Sequence, residues 1–382
     1  MEFRFRPHLI DTDLPTGDWP HGCYAQTVLA DLDNDGRPEY VVGNLGHELL
    51  CYRYLTPDRW DRFVLSGECT HDVGIAAIDV DGDGFVDLVA GSSWFRNSRT
   101  LGKTFQRFPF DPDYAGIEVH DVVPWDMDGD GRLEVATMSD GANLHLYRIP
   151  DDPTKPWERE YVGPSVHTGV SIGDLDGDGK PDIVRTDTWF RNPGERFAPW
   201  YPRLIGPCTP PPPDFRPSFA YNATFSRVCD MNGDGRNDIV FADAEIPGGR
   251  IWWMENLDGA GTRWRRHDVP NADGGHRRGA YHSLHVGDLD GDGDLDIFSC
   301  EMEDVRGDAP PRWYIWENLD GRGGAWREHV VLDANLGGHM AVAGDVSGSG
   351  LVDLIAKPWR ASARNALGGK MFIVYLSNES VP

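Results

Sequence analysis

One acidic nonapeptide, repeated seven times, constrains this chain more than any other feature. The copies read DLDNDGRPE from Asp31, DVDGDGFVD from Asp79, DMDGDGRLE from Asp126, DLDGDGKPD from Asp174, DMNGDGRND from Asp230, DLDGDGDLD from Asp288 and DVSGSGLVD from Asp345. Their starts lie 48, 47, 48, 56, 58 and 57 residues apart. A period of that size running through 382 residues predicts an array of like units rather than one irregular core. The flanks (IAAIDV, DLVAGS, DIVRT) are short, apolar and β-rich.

Positions 1, 3, 5 and 9 of the seven copies carry 25 carboxylates, against a net charge of −26 for the whole chain. The acidity is therefore a set of ion sites. Oxygen ligands at alternate positions, with glycine at position 6 for a sharp turn, suit a hard cation such as Ca²⁺. An EF-hand would need flanking helices and a glutamate at position 12, where the second and fourth copies have Ala90 and Arg185. Six sites are expected, with ligands Asp31, Asp33, Asp35 and Glu39; Asp79, Asp81, Asp83 and Asp87; Asp126, Asp128, Asp130 and Glu134; Asp174, Asp176, Asp178 and Asp182; Asp230, Asn232, Asp234 and Asp238; Asp288, Asp290, Asp292 and Asp296. The seventh copy, with Ser347 and Ser349 at ligand positions, is degenerate.

Composition narrows the class further. Hydrophobic residues at 40% and 14 Trp exclude intrinsic disorder. No apolar run reaches the ~18 residues of a membrane span, and no cleavable signal peptide opens the chain as given. A charge of −26 repels phosphate backbones, which excludes nucleic acid as a partner. The 45 Gly and 28 Pro suit many short strands joined by turns. The six Cys (Cys23, Cys51, Cys69, Cys208, Cys229, Cys300) single out no disulfide pairing and read as small buried hydrophobes.

Each repeat also carries an aromatic strand (IWWMEN from Ile251, WYIWEN from Trp313, WFRN from Trp94 and Trp189), and most add a further one such as WDRFVL from Trp60 or WEREYV from Trp157. About four strands per ~50-residue repeat predict a β-propeller blade. The chain opens with FRFRPHLI from Phe3, of the fourth-strand type, and ends with MFIVYL from Met371, of the third-strand type. The amino terminus is thus expected to complete the last blade and remove its open edge. The expectation is all-β: one seven-bladed propeller over 1–382, four antiparallel strands per blade, with residues 1–10 as the closing outer strand. The aromatic strands read as blade-to-blade packing rather than as sugar platforms.

At this point the chain resembles the FG-GAP and VCBS repeat propellers, whose Ca²⁺ loops lie between the first and second strands of each blade. The resemblance spans essentially the whole chain. It implies fold and calcium but not function, because such propellers serve as adhesins, lectins and enzymes.

The histidines are clustered by repeat. Six to ten residues before each loop stand His21, His71, His120, His167, Asn222, His282 and His339, one per blade. On an innermost strand running into the loop, those positions lie at the opposite end, around the mouth of the central channel. Second strands return there and end in Asn44 with His47, Asp140, Asp187, Asp243 with Glu245, Glu301 with Glu303, and Lys357. Arg227, Arg277, Arg278 and Tyr281 add to the set. A ring of imidazoles, carboxylates and arginines at a channel mouth predicts a ligand site.

Three functions fit this inventory. The first is a carbohydrate lyase acting by β-elimination on a uronate-containing glycan, which needs a base, an acid and a cation on the carboxylate. In repeat style and His-rich face the chain looks like the seven-bladed lyases that release rhamnose from rhamnosyl-glucuronate. On that reading His71, His120, His167 and His282 transfer protons, Arg227 and Tyr281 hold the carboxylate, and His21, Asn222, His339, Arg278, Glu245 and Glu301 bind substrate. The second is a sugar dehydratase holding another divalent metal at the mouth. The third is a non-catalytic glycan-binding or adhesion module. Second-strand ends that differ from blade to blade favour one asymmetric site, hence an enzyme. The expectation is a monomer, secreted or periplasmic, where millimolar calcium fills such loops.

Overall fold

The computed structural model describes residues 2–16, 22–70, 72–113, 118–139, 142–206, 224–246, 248–272, 278–303, 310–362 and 365–380. They form seven four-stranded antiparallel sheets, with no helix among the described residues. Six blades follow in chain order, from β2 (Tyr24–Ala30), β3 (Glu39–Asn44), β4 (Leu49–Thr56) and β5 (Arg59–Ser66) to β22 (His285–Gly287), β23 (Asp296–Cys300), β24 (Trp313–Asn318) and β25 (Trp326–Leu332). The seventh is β26 (His339–Gly344), β27 (Asp353–Lys357) and β28 (Ile373–Asn378) completed by β1 (Phe5–Asp11), with Phe5 opposite Asn378 and Leu9 opposite Val374. The expected closure by the amino terminus is what the chain adopts. The innermost strands β2, β6 (Ile75–Ile78), β10 (Val119–Trp125), β14 (Val170–Gly173) and β18 (Thr224–Cys229) abut in turn, and β2 meets β26. Phe225 and Val240 pack blade five on Ile297 and Tyr314 of blade six, and β23 meets β26, so the ring is closed.

The core is distributed, with one apolar cluster per blade boundary. Leu175, Val184 and Trp189 of blade four interdigitate with Ile239, Phe241 and Trp252 of blade five. Tyr24, Tyr40 and Tyr52 of blade one meet Val346, Ile355 and Tyr375 of blade seven and seal the ring. The Trp of the aromatic strands is buried in these boundaries: Trp94 and Trp189 have no exposed surface. Their indole N–H groups donate to the next blade, at Pro153 O (3.0 Å) and Gly261 O (3.2 Å).

The Asn that ends each aromatic strand reaches the other way. Asn97 Nδ2 donates to Leu32 O of the preceding loop (2.8 Å), Asn192 Nδ2 to Met127 O (2.9 Å) and Asn256 Nδ2 to Leu175 O (2.9 Å). The WFRN motif is therefore a two-way stitch, indole forward and amide backward. Asn192→Ala would strip buried carbonyls of their donor, so it is expected to lower the unfolding free energy by about 2 kcal/mol. Denaturant titration of the variant against wild type checks this.

Candidate functional site

The acidic loops all fall between the first and second strands of a blade, as between β2 (Tyr24–Ala30) and β3 (Glu39–Asn44). Their geometry is repeated closely. The position-1 carboxylate accepts backbone N–H groups across the turn, as Asp31 does from Asp35 (3.1 Å) and Gly36 (2.9 Å). Glycine at position 6 takes a positive φ, +88° at Gly36.

Position 9 does more than the sequence reading assigned to it. Asp182 Oδ2 accepts Leu175 N (2.9 Å) while Oδ1 accepts Asn192 N (2.8 Å). Asp87, Asp238, Asp296 and Asp353 repeat this double latch. This carboxylate ties the loop to the third strand.

Ligand oxygens of positions 1, 3 and 9 converge within 4.8 Å in the loops from Asp31, Asp79, Asp126 and Asp174, and those of Asp288, Asp290 and Asp292 do so in the sixth. Five of the six expected sites thus have a described carboxylate cluster, and the fifth loop has Asn232 in place of one carboxylate. The residues fit a hard cation: Asp33 Oδ1 and Asp81 Oδ1 are buried without a hydrogen-bond partner. Burial, followed by neighbouring carboxylates, pushes Glu39, Asp87, Asp182 and Asp296 up to about 7, the mark of crowded negative charge. In blades one to four an arginine of the third strand also reaches position 3: Arg53 to Asp33 (3.5 Å), Arg96 to Asp81 (2.5 Å), Arg148 to Asp128 (2.7 Å) and Arg191 to Asp176 (2.5 Å).

At the opposite face the fold gathers residues from five blades into one connected line. His120 is the bulged residue between the paired Val119 and Asp121 of β10 (Val119–Trp125), His167 precedes β14 (Val170–Gly173), and their rings lie 3.9 Å apart. His167 Nε2 lies 3.9 Å from Glu245 Oε1, and Glu245 Oε1 is 2.8 Å from His282 Nε2. The His282 ring stacks on His339 at 3.9 Å and 18°. His339 Nδ1 is 2.9 Å from Lys357 Nζ. Glu303 lies beside Lys357 and accepts the backbone N–H groups of Trp359 and Arg360.

Backbone clamps hold the histidines in place. Both carboxylate oxygens of Asp121, next to His120, accept Gly169 N at 3.1 Å. Gly169 has φ +116°, and a Cβ there would meet Thr224 O at 1.8 Å, so only glycine fits beside His167.

Electrostatics divide the line into unlike members. Burial would raise Glu245, but the His282 hydrogen bond and the surrounding imidazoles hold it below the ordinary carboxyl value, hence ionised. Burial, then His282, Lys357, His120 and His167, hold His339 well below the ordinary imidazole range, hence neutral. A protonated Lys357 donates to Nδ1, which would set the His339 proton on Nε2. Burial pushes Lys357 down and Glu303 up.

A pH dependence follows. Below about 6.5 the unfolded imidazole of His339 takes a proton that the folded one refuses, so stability falls with pH from that point. Glu245, depressed in the fold, acts in the same sense: its contribution is lost as pH falls through its lowered value. Over pH 7 to 5 the raised loop carboxylates act in the opposite sense, so the His339 share is read as a difference between wild type and His339→Asn. The stability of wild type relative to the variant should fall as pH drops from 7 to 5, by up to about 1.4 kcal/mol per pH unit.

Three residues expected at the mouth turn away from it. Tyr281 is fully buried, its ring edge-on to Trp316 at 5.7 Å, and burial raises its hydroxyl well above the ordinary value. Arg278 donates to Glu328 (2.8 Å) and to the Tyr281 hydroxyl (3.2 Å) and lies over the Tyr314 ring. Glu301 accepts the backbone N–H groups of Gly279 (2.7 Å) and Arg312 (2.8 Å). These side chains form a core network at the boundary of blades five and six. Arg227 faces the channel three residues before its loop, below the histidine line. His21, His71, Asn222, Asp140 and Arg277 lie outside the described residues, as does Cys208; the other five cysteines are free thiols. Among the described residues no three His, Cys, Asp or Glu ligand atoms at this face converge within 4.8 Å. Sequence reasoning missed Asp121 and Trp359, the latter 4.8 Å from His339. The dipeptide His-Asp at 71–72 and at 120–121 was the signal for the first.

The fold and its loops define a β-propeller with a polar, imidazole-lined face and candidate cation sites on the other. Residues 31–90, 126–184 and 230–299 match the model of the FG-GAP-like repeat, so these stretches of the propeller are FG-GAP-like repeats. Two solved structures share its architecture at low identity. A crystal structure of BBS1N in complex with ARL6DN, soaked with lead, aligns with a TM-score of 0.55 at 10% identity over 99% of this chain and 98% of that one. A second, soaked with mercury, aligns at 0.53 and 11% identity over 94% and 96%. At such identity they speak for the fold alone. No helix among the described residues is long and apolar enough to cross a membrane.

Proposed function

We propose that the protein is a carbohydrate-active lyase that cleaves a uronate-containing glycan by β-elimination at its histidine-lined face, on a propeller braced by calcium. One observation carries the reading: a line of four histidines and Glu245, in which the carboxylate hydrogen-bonded to His282 is held ionised while His339, stacked on the far side of His282, is held neutral. Neighbouring groups driven to unlike protonation states are what acid–base work at neutral pH requires.

In the elimination a base removes the C5 proton, the C–H electrons form the C4–C5 double bond, and the C4–O bond breaks. The leaving oxygen then takes a proton from an acid. The hydrogen-bonded Glu245–His282 pair can lodge the first proton at either end. His120 and His167, stacked on the other side of Glu245, supply the second. Calcium adds stability and no step. Loops of this type fill in millimolar calcium, which fits a protein working outside the cell.

The assay follows the ultraviolet absorbance of the new double bond on gum arabic and other uronate-bearing glycans. Absorbance that rises in wild type and stays flat in His167→Ala, at equal thermal stability, is the expected result. No rise on any substrate, with glycan or protein binding still measurable, would sink the lyase reading.

A second reading, a non-catalytic binding propeller, draws on the two solved structures, in which BBS1N is held in complex with ARL6DN. Under that reading the histidine line is a rigid polar floor for a partner, and His167→Ala would change affinity without any turnover to lose.

A further inference from the structure

The innermost strands carry a second polar level, three residues before each acidic loop. Most blades place Val, Ala or Ser there, with Val28, Val123 and Val342 among them. Blades five and six instead place Arg227 and His285, side by side on neighbouring strands β18 (Thr224–Cys229) and β22 (His285–Gly287). Arg227 is solvent-exposed on an innermost strand, the strand that lines the central channel, and desolvation by the surrounding protein pulls its guanidinium below its ordinary value.

Arg227 Nη1 donates to the carbonyl of Ser226 (2.7 Å), and among the described residues no carboxylate forms an ion pair with it. The carboxylate whose charge acts on it, Asp121, is committed to Gly169 N, Val170 N and Thr168 Oγ1. Burial and the Arg227 charge push His285 down to about 4, so its imidazole is neutral and has one N–H to offer. An enclosed cation without a counter-ion is costly. A guanidinium fork matches the two oxygens of a planar or tetrahedral oxyanion. The channel's other end opens among the acidic loops, which repel anions, so entry is from the histidine face.

We infer that Arg227 and His285 form a binding station for a small oxyanion, carboxylate or phosphate, inside the central channel. The station needs no elimination chemistry, and it stands if the lyase reading falls. The anion comes either free or on an acidic sugar.

The test is calorimetry of the full chain with inorganic phosphate, acetate, glucuronate and, as neutral control, glucose. Phosphate or acetate binding to wild type, weakened at least tenfold in Arg227→Gln and kept in His167→Ala, is the expected outcome and marks a free anion. Glucuronate binding alone, also lost in Arg227→Gln, supports the station with the anion borne by a sugar. Removing an enclosed charge should leave Arg227→Gln no less stable than wild type in anion-free buffer. Anion should then raise the thermal midpoint of wild type and not of the variant. Wild type that binds none of the three anions, or an Arg227→Gln variant that binds or is stabilised as wild type is, overturns the inference.

Discussion

Chelating calcium is expected to lower the unfolding free energy by about 2.7 kcal/mol for each loop that holds the ion at a hundredfold excess over its dissociation constant. Five loops bring three carboxylate oxygens within 4.8 Å of one another, so the summed loss can exceed the whole stability of an ordinary domain. The arginines reaching position 3 in blades one to four temper this, because each supplies local positive charge when the cation leaves. Scanning calorimetry with calcium and with chelator gives the difference. Two substitutions separate the ligand role from the latch role within one loop. Asp176→Ala should lower stability in calcium and little in chelator. Asp182→Ala leaves the N–H groups of Leu175 and Asn192 without acceptors, costing about 3 kcal/mol in chelator, and more in calcium, where a ligand is lost as well. Equal thermal midpoints with and without chelator would remove calcium from the account and leave the loops as hydrogen-bonded turns.

The other large effect belongs to the histidine line. If the face performs β-elimination, Glu245→Gln should lower kcat by roughly 10²- to 10⁴-fold, the usual contribution of a positioned acid–base group. The glutamine keeps the shape and can still hydrogen-bond His282, but it holds no negative charge. His282→Ala should cost a similar factor, and the double variant little more, because the two share one hydrogen bond of 2.8 Å and act as a unit. Rates of wild type, both single variants and the double on one uronate glycan complete the cycle. Additive losses would mean that Glu245 and His282 act separately.

Much of the architecture was legible in the residues. The spacing of the acidic loops, the aromatic strands and the mismatch of the two termini pointed to seven blades with an amino-terminal closing strand. The same periodicity pointed to one polar residue per blade at the channel mouth, and of these His120, His167, His282 and His339 lie among the described residues. A strand fixes which end of a blade a residue occupies, because each residue advances the chain by a set length. It does not fix which side chains touch across blades. Tyr281 and Arg278 sit beside His282 in sequence, yet alternation and the pull of an apolar boundary turn them into the core. Glu245 and His282 are 37 residues apart, and only the packing of neighbouring blades brings them into contact.

The sequence by itself therefore determined the repeat: how many blades, where the turns fall, where the carboxylates cluster and which ends face which way. These are local properties, set by periodicity, turn chemistry and ligand spacing within one unit. The tertiary structure alone decided the charge states and partners. Position 9 became a latch, His339 became neutral, and Arg227 makes no ion pair among the described residues. Those outcomes depend on desolvation and on groups contributed by other blades. Neither is encoded within the span of a single repeat.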